Sequence, residues 1–239
     1  IRDLEARISA LPPIASGQCV VPPDPGADPA IGGDHEGGGS GSVSPGSGYS
    51  DEHRRSRIFA DLIHMAFVCD LTRAASLQIT AFQSHMNARP IADGLGTLDG
   101  TVRPSRWASV GGDVHEVGHN GDPNNRGQIP SAGLLQWHVS HYAYLIDKLR
   151  NTPEGAGNVL DNSMIVFTAE AGHGRQLNDG SSQNQTHSVE NMVMLLAGRA
   201  GGFDPGEHVN GQGAHPATAL IRAMQAAGYQ GNSLGDVSL

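Results

Sequence analysis

Imidazole and carboxylate side chains are concentrated in two stretches of this sequence. In the first, residues 112–122, Asp113, His115 and His119 lie in a loop flanked by glycines. Imidazole and carboxylate groups at short spacing are typical ligands of Zn²⁺, or of iron and manganese where more oxygen ligands are present. A polar loop with solvated histidines explains the same composition, so a metal-binding loop and a solvated loop both remain open.

The second stretch combines two apolar runs with a carboxylate and a histidine. Residues 163–169 and 192–197 predict strands that are buried on both faces. Glu170 ends the first run, and His187 precedes the second. In open α/β sheets, ligands bind in the crevice outside the carboxyl ends of the strands. A carboxylate at a strand end that faces a histidine across a loop therefore predicts a site.

Other histidines are secondary candidates. His138 lies on the apolar stripe of a helix predicted over 131–151, where it is either a hydrogen-bonded core residue or an additional ligand. His173 follows Glu170 by three residues and either reaches the same crevice or lies in solvent. His141, on the flank of the same helix, is predicted to have no functional role.

Composition and motif content argue against several classes of function. The 239-residue chain has a formal net charge of −9 and a single lysine, Lys148. Nucleic-acid binding usually needs a basic face, so no nucleic-acid partner is predicted. No apolar run approaches the length of a membrane span. The sequence also contains no G-x-S-x-G elbow, P-loop or H-E-x-x-H motif.

The order of predicted elements indicates an α/β chain. Helices are predicted over 2–11, 51–69, 131–151 and 216–228, and strands over 74–82, 163–169 and 191–197. Residues 12–50, rich in Pro, Gly and Ser, are predicted to form an irregular excursion. Because no N-cap residue precedes the first helix, the chain is expected to be a proteolytic fragment or a processed chain. Missing N-terminal strands, or a partner chain, would complete the sheet.

The middle helices have predicted caps and apolar stripes. Asp51 or Ser50 is placed to cap the helix over 51–69, Ser131 to cap the next, and Gly228 to end the last. The predicted stripes are Ile58, Leu62, Met65 and Cys69 in the first of these helices, and Leu135, Val139, Tyr142, Ile146 and Leu149 in the second.

The two cysteines leave the redox state of the chain open. Cys19 lies in a Pro-rich loop, and Cys69 lies near the end of an apolar helix. One disulfide in an exported protein and two buried free thiols are both consistent with this count.

Several short motifs together resemble DUF1552, a family of exported bacterial proteins of unknown function. They are Ile1-Arg-Asp-Leu-Glu-Ala-Arg-Ile, Cys69-Asp-Leu-Thr-Arg, Tyr144-Leu-Ile-Asp-Lys-Leu, Thr152-Pro-Glu-Gly, Leu160-Asp-Asn-Ser, Thr186-His-Ser and Leu196-Ala-Gly-Arg-Ala-Gly-Gly. The resemblance covers most of the chain outside 20–50. It implies a protein that is exported to the periplasm or the outside of a bacterial cell. It also implies that 1–239 is the C-terminal part of one α/β domain.

This family in turn resembles the alkaline phosphatase and sulfatase superfamily. The match lies in Leu160-Asp-Asn-Ser, the following apolar run, and Thr168-Ala169-Glu170-Ala171-Gly172. The resemblance implies an alkaline-phosphatase-like layered sheet flanked by helices, with metal ligands His115, His119, Glu170 and His187. Zinc is the first expectation, with iron or manganese as alternatives. Asp113, His138 and His173 are possible additional ligands.

Departures from the superfamily pattern keep two functions open. Glu170 replaces the usual Asp, Ala171 replaces its neighbouring His, and the nucleophile is expected in N-terminal residues that this sequence does not contain. The leading expectation is metal-assisted hydrolysis of phosphate or sulfate esters. The alternative is a non-catalytic secreted scaffold or assembly component with a degenerate or structural metal site.

Overall fold

Helices and short antiparallel sheets make up the described part of the chain. A computed structural model describes residues 19–28, 51–80, 86, 128–169 and 192–239. The helices are α1 (Glu52–Val68), α2 (Gln128–Arg150) and α3 (Ala217–Ala226). The strands are β1 (Pro153–Glu154), β2 (Gly157–Asn158), β3 (Met164–Thr168), β4 (Met194–Gly198), β5 (Ser233–Leu234) and β6 (Val237–Ser238), with 3₁₀ turns at Val159–Asn162 and Ala200–Gly202.

Helix α1 begins where the sequence predicts. The Asp51 side chain accepts a hydrogen bond from the backbone N–H of Arg54 at 3.3 Å, which confirms it as the N-cap. The predicted apolar stripe is only partly correct, because Leu62 is 38% exposed while Ser56 and Ala60 are buried. The small side chains of Ser56 and Ala60 lie on the buried side of α1, together with Met65.

Helix α2 begins three residues before the predicted cap, Ser131. Its buried face also differs from the predicted stripe, since Leu135 is 48% exposed while Leu134 and Trp137 are buried. Two sets of residues on this helix have helical spacing, so spacing alone does not select one of them. The buried set is the one whose Trp137 contacts α1.

Strands β3 and β4 confirm the two apolar runs and pair antiparallel. Their register places Met164 opposite Gly198 and Thr168 opposite Met194. The prediction of burial on both faces is only partly correct, because the residues of both strands are mostly half-buried, on either face, and Thr168 is exposed. Gly198 has φ +107°, and a Cβ on it would collide with the carbonyl oxygen of Ser163, so this position requires glycine.

The predicted strand over 74–82 does not form in its described part. Residues 74–80 are irregular and mostly exposed, and residues 81–82 lie outside the described part. Thr72 starts this segment with a local turn, in which its hydroxyl donates to the carbonyl oxygen of Ala74 at 2.8 Å. Apolar alternation such as that of Leu77 and Ile79 yields a strand only where a partner strand completes the hydrogen bonds.

Helix α3 ends as predicted at Gly228, which has φ +101°. The Gly228 N–H donates to the carbonyl of Gln225 at 2.9 Å, and the Tyr229 N–H donates to that of Met224 at 2.9 Å. These two bonds form a Schellman motif that satisfies the last carbonyls of the helix. α3 packs against β3 and the small β5–β6 hairpin.

A disulfide joins Cys19 to Cys69, with 5.0 Å between their Cα atoms, and so decides between the two states that the sequence left open. The same segment is held at its other end by α1. Arg55 pairs with Asp28 at 2.7 Å, and Arg54 donates to the carbonyl oxygen of Pro25. Residues 19–28 therefore form a strap clamped to both ends of α1, and they contain no helix or strand, as expected for the excursion over 12–50.

The layered sheet expected from the resemblance remains a prediction. Within the described ranges, each sheet consists of two antiparallel strands. The helix predicted over 2–11 and most of 12–50 lie outside those ranges. None of the described helices is both long enough and apolar enough to cross a bilayer.

Candidate functional site

Most predicted ligands lie outside the described residues. These are Asp113, His115, His119, Glu170, His173 and His187. Of the sequence-predicted site residues, His138 alone falls in the described part of the chain. No group of three or more potential ligands, drawn from His, Cys, Asp and Glu, is assembled by the described residues alone.

The β3–β4 pairing defines the edge from which the chain leaves toward Glu170 and returns from His187. Thr168, the last residue of β3, pairs with Met194, the first residue of β4. In a parallel pair the end of one strand and the start of the next lie at opposite edges, whereas antiparallel pairing brings them to one edge. At this edge Thr168 is exposed, and Val193 is 68% exposed.

A second concentration of imidazoles lies between α1 and α2. It consists of His53, Trp137, His138 and His141, which we call the histidine–tryptophan cluster. The ring of His141 lies with its centroid 4.7 Å from that of Trp137 and 4.9 Å from that of His53. The ring centroids of His138 and Trp137 are 4.7 Å apart, nearly perpendicular. Trp137 is 2% exposed, so its ring is the centre of the cluster.

His138 has hydrogen-bond partners at both ring nitrogens. Nδ1 lies 2.8 Å from the carbonyl oxygen of Leu134, and Nε2 lies 3.2 Å from Oγ1 of Thr80. A carbonyl only accepts, so Nδ1 carries the proton and the neutral ring accepts from the Thr80 hydroxyl at Nε2. Burial lowers the pKa of His138, and the bond to Leu134 opposes this effect. These bonds match the interpretation of His138 as a hydrogen-bonded structural residue.

His53 joins the cluster from α1. The indole N–H of Trp137 donates to Nδ1 of His53 at 3.2 Å, which ties the two helices together. Since Nδ1 accepts this bond, the neutral His53 carries its proton on Nε2. Burial and the positive charge of Arg57 lower the pKa of His53, while Asp51 raises it.

His141 differs from the other members of the cluster in its hydrogen bonding. It is 2% exposed, and neither of its ring nitrogens has a hydrogen-bond partner in the described structure. Burial lowers the pKa of His141 to about 3, with further lowering by Arg57, His53 and His138. From the sequence, no functional role is predicted for His141. Its spacing from Leu134 and Trp137 places it on the buried face of α2 and is the signal that indicates its burial.

A polar network continues the α1–α2 interface beyond the cluster. The Tyr144 hydroxyl donates to Asp61 at 2.8 Å, and Lys148 pairs with the same carboxylate oxygen at 2.6 Å. The Arg57 guanidinium lies 4.2 Å from the centre of the Tyr144 ring, in a cation–π contact. Cationic groups therefore lie along this interface, and Asp61 is the carboxylate that bonds to two of its residues.

His64 and Thr152 extend this network to the end of α2. His64 Nε2 lies 2.7 Å from the Thr152 hydroxyl oxygen, whose proton goes to the carbonyl of Lys148 at 2.8 Å. His64 must therefore be the donor to Thr152. Burial and the charge of Lys148 lower the pKa of His64, which Asp61 opposes.

No family model, curated protein or solved structure matches this chain. Its function is therefore inferred from its residues and from the geometry of the β3–β4 edge and the histidine–tryptophan cluster.

Proposed function

We propose that this chain is an exported metal-binding protein of the type that hydrolyses phosphate or sulfate esters, with an alkaline-phosphatase-like α/β fold. Its metal site would lie at the β3–β4 edge defined by Thr168 and Met194. Glu170 and His187 would be ligands, together with His115 and His119. Asp113 and His173 are additional candidates, whereas His138 is omitted because both its ring nitrogens bond to protein groups.

The register of β3 and β4 is the observation that supports this proposal best. Glu170 is two residues beyond Thr168, and His187 is seven residues before Met194. Because these strand ends are paired, the segment that leads to Glu170 and the segment that returns from His187 leave and enter the β3–β4 pair at the same edge. In a parallel pair, Glu170 and His187 would leave opposite edges.

The donor set suits a transition metal. Neutral imidazole nitrogens and a carboxylate bind Zn²⁺, and also iron or manganese. A metal at such a site polarises an ester oxygen and stabilises developing negative charge. Glu170 extends one methylene farther than the Asp of the superfamily motif, so it is able to reach a metal from a slightly more distant backbone position.

The disulfide supports the proposal that the protein is exported. Disulfides persist in oxidising compartments such as the bacterial periplasm and are rare in the cytosol. The clamped strap over 19–28 depends on the Cys19–Cys69 bond at one end. A chain that relies on this bond is suited to an oxidising location.

Calorimetric titration of Zn²⁺ into metal-free protein tests the metal site. Glu170→Ala and His187→Ala should each weaken binding at least tenfold, because each removes one ligand. His208→Ala is the matched control, since His208 is exposed in the described structure. Equal affinities in all the variants and the wild-type protein would overturn the proposed ligand set.

The alternative is a secreted scaffold that keeps a structural metal. It is favoured by Ala171, which stands where the superfamily has a histidine. Structural sites are closed by protein ligands, whereas catalytic sites keep an open position. Tight zinc binding with no hydrolysis of phosphate or sulfate esters by the full-length protein would favour the scaffold.

A further inference from the structure

We propose that the α1–α2 interface is an acid-sensitive junction, which opens when His141 gains a proton. His141 is the buried imidazole at the centre of this interface, and neither ring nitrogen has a partner in the described structure. The inference is independent of the proposed metal site.

Within the described residues, a charge on His141 has no compensating partner. The groups that act on it electrostatically are Arg57 and His53 from α1 and His138 from α2, and each of them is cationic or becomes so on protonation. A buried charge without a partner costs far more than a buried neutral ring. Arg57 likewise disfavours a metal ion beside His141, so the cluster is suited to sensing protons rather than to binding a cation.

Among the described residues, the elements that pack near α2 give His141 no carboxylate partner. Asp51 on α1 acts on His53, and the charged groups that act on His141 do not include it. The Asp61 carboxylate on α1 is occupied by Lys148 and Tyr144. The Asp161 carboxylate, on the 3₁₀ turn that packs against α2, accepts the backbone N–H of Asn158 at 3.0 Å. From β3, the carbonyl of Ile165 accepts the Tyr142 hydroxyl, and from residues 71–80, Thr80 bonds to His138.

The direction of the pH effect follows from linkage. The folded protein holds His141 neutral, with a pKa of about 3, whereas the ordinary value is 6.5. The unfolded state therefore binds the proton more readily, so stability is fully present above pH 6.5 and decreases as the pH falls toward 3. One such group raises the unfolding equilibrium constant by up to about tenfold per pH unit within this range.

Protonation should release α1 in particular. In the described structure, α1 packs mainly on α2, whereas α2 also packs on β3 and on the 3₁₀ turn at Val159–Asn162. Loss of the α1–α2 contact therefore leaves α2 held by other elements. The Cys19–Cys69 disulfide keeps the strap attached to the released helix.

Fluorescence of Trp137 tests the proposal in the full chain. Trp107→Phe removes the second tryptophan, so the emission reports on the histidine–tryptophan cluster alone. Between pH 7.5 and 4, the emission of this protein should shift to the red as Trp137 becomes exposed. With His141→Phe or His141→Gln added, the midpoint pH of this fluorescence shift should be at least one unit lower, while His208→Gln should leave the midpoint unchanged.

Two outcomes would overturn the proposal. One is an emission maximum of the Trp107→Phe protein that stays constant down to pH 4. The other is a fluorescence transition with the same midpoint pH in both His141 variants as in the Trp107→Phe protein. Amide exchange, corrected for the pH dependence of the chemical rate, separates opening from global unfolding. Amides of α1 should lose protection at a higher pH than those of β3 and β4, and simultaneous loss would contradict a local junction.

Discussion

At the α1–α2 interface, Trp137 and His141 are each 2% exposed, whereas every residue of β3 keeps part of its surface in solvent. The interface depends on side-chain packing, and its polar atoms mostly have partners. The β3–β4 hairpin depends on backbone pairing, and Thr168 and Val193 at its described edge are exposed. Burial at the interface makes even one added proton costly there.

The largest expected effect tests the difference in packing. Trp137→Ala should lower the free energy of unfolding by about 3–5 kcal/mol, because it leaves a cavity among buried rings and removes the bond to His53. Phe167→Ala is the matched change in the hairpin, where Phe167 is half-buried beside Tyr142. It should cost only about 1 kcal/mol. Urea unfolding of both variants measures the comparison, and equal losses would contradict it.

The disulfide should have the next largest effect. Replacing Cys19 and Cys69 with Ser should lower stability by about 2–4 kcal/mol, because the bond closes a chain separation of 50 residues in the unfolded state. Thermal unfolding of the double variant, compared with reduced wild-type protein, checks this value. If the two proteins unfold at the temperature of the oxidised wild-type protein, the disulfide contributes nothing to the stability of the protein.

The smallest effect concerns the cap of α1. Asp51→Ala should lower the free energy of unfolding by about 1–2 kcal/mol, because it removes the cap. It also leaves at φ +61° an alanine, whose side chain makes no hydrogen bond to offset the strain. Asp51→Gly keeps the conformation accessible and should cost less. If Asp51→Gly is as destabilising as Asp51→Ala in urea unfolding, backbone conformation is not part of the cost.

The positions of the elements were more predictable than their faces. Strands β3 and β4 and helices α1 and α3 lie where apolar spacing and end signals place them, since these are local properties. The buried face of α2 was only partly predicted, because Leu149 is buried as expected, but Trp137 and His141, rather than Leu135, meet α1. The strand predicted at Leu77 was wrong within the described residues because no neighbouring strand pairs with it there.

In the candidate site, too, local features were predictable from the sequence and long-range pairing was not. The sequence predicts that Glu170 and His187 flank two strands, but the antiparallel direction that brings the strand ends to one edge depends on long-range pairing. The lack of hydrogen-bond partners at His141 within the described structure was not predicted either. The surroundings of a histidine depend on residues distant in sequence, which for His141 include Arg57 and His53.

The metal content of the native purified protein, measured by elemental mass spectrometry, tests the central claim most directly. The proposed site at the β3–β4 edge predicts close to one or two equivalents of zinc, iron or manganese in the wild-type protein. It also predicts a marked loss of that metal in His187→Ala, with His208→Ala unchanged. Metal at background level in the wild-type protein, or full retention in His187→Ala, would contradict the claim.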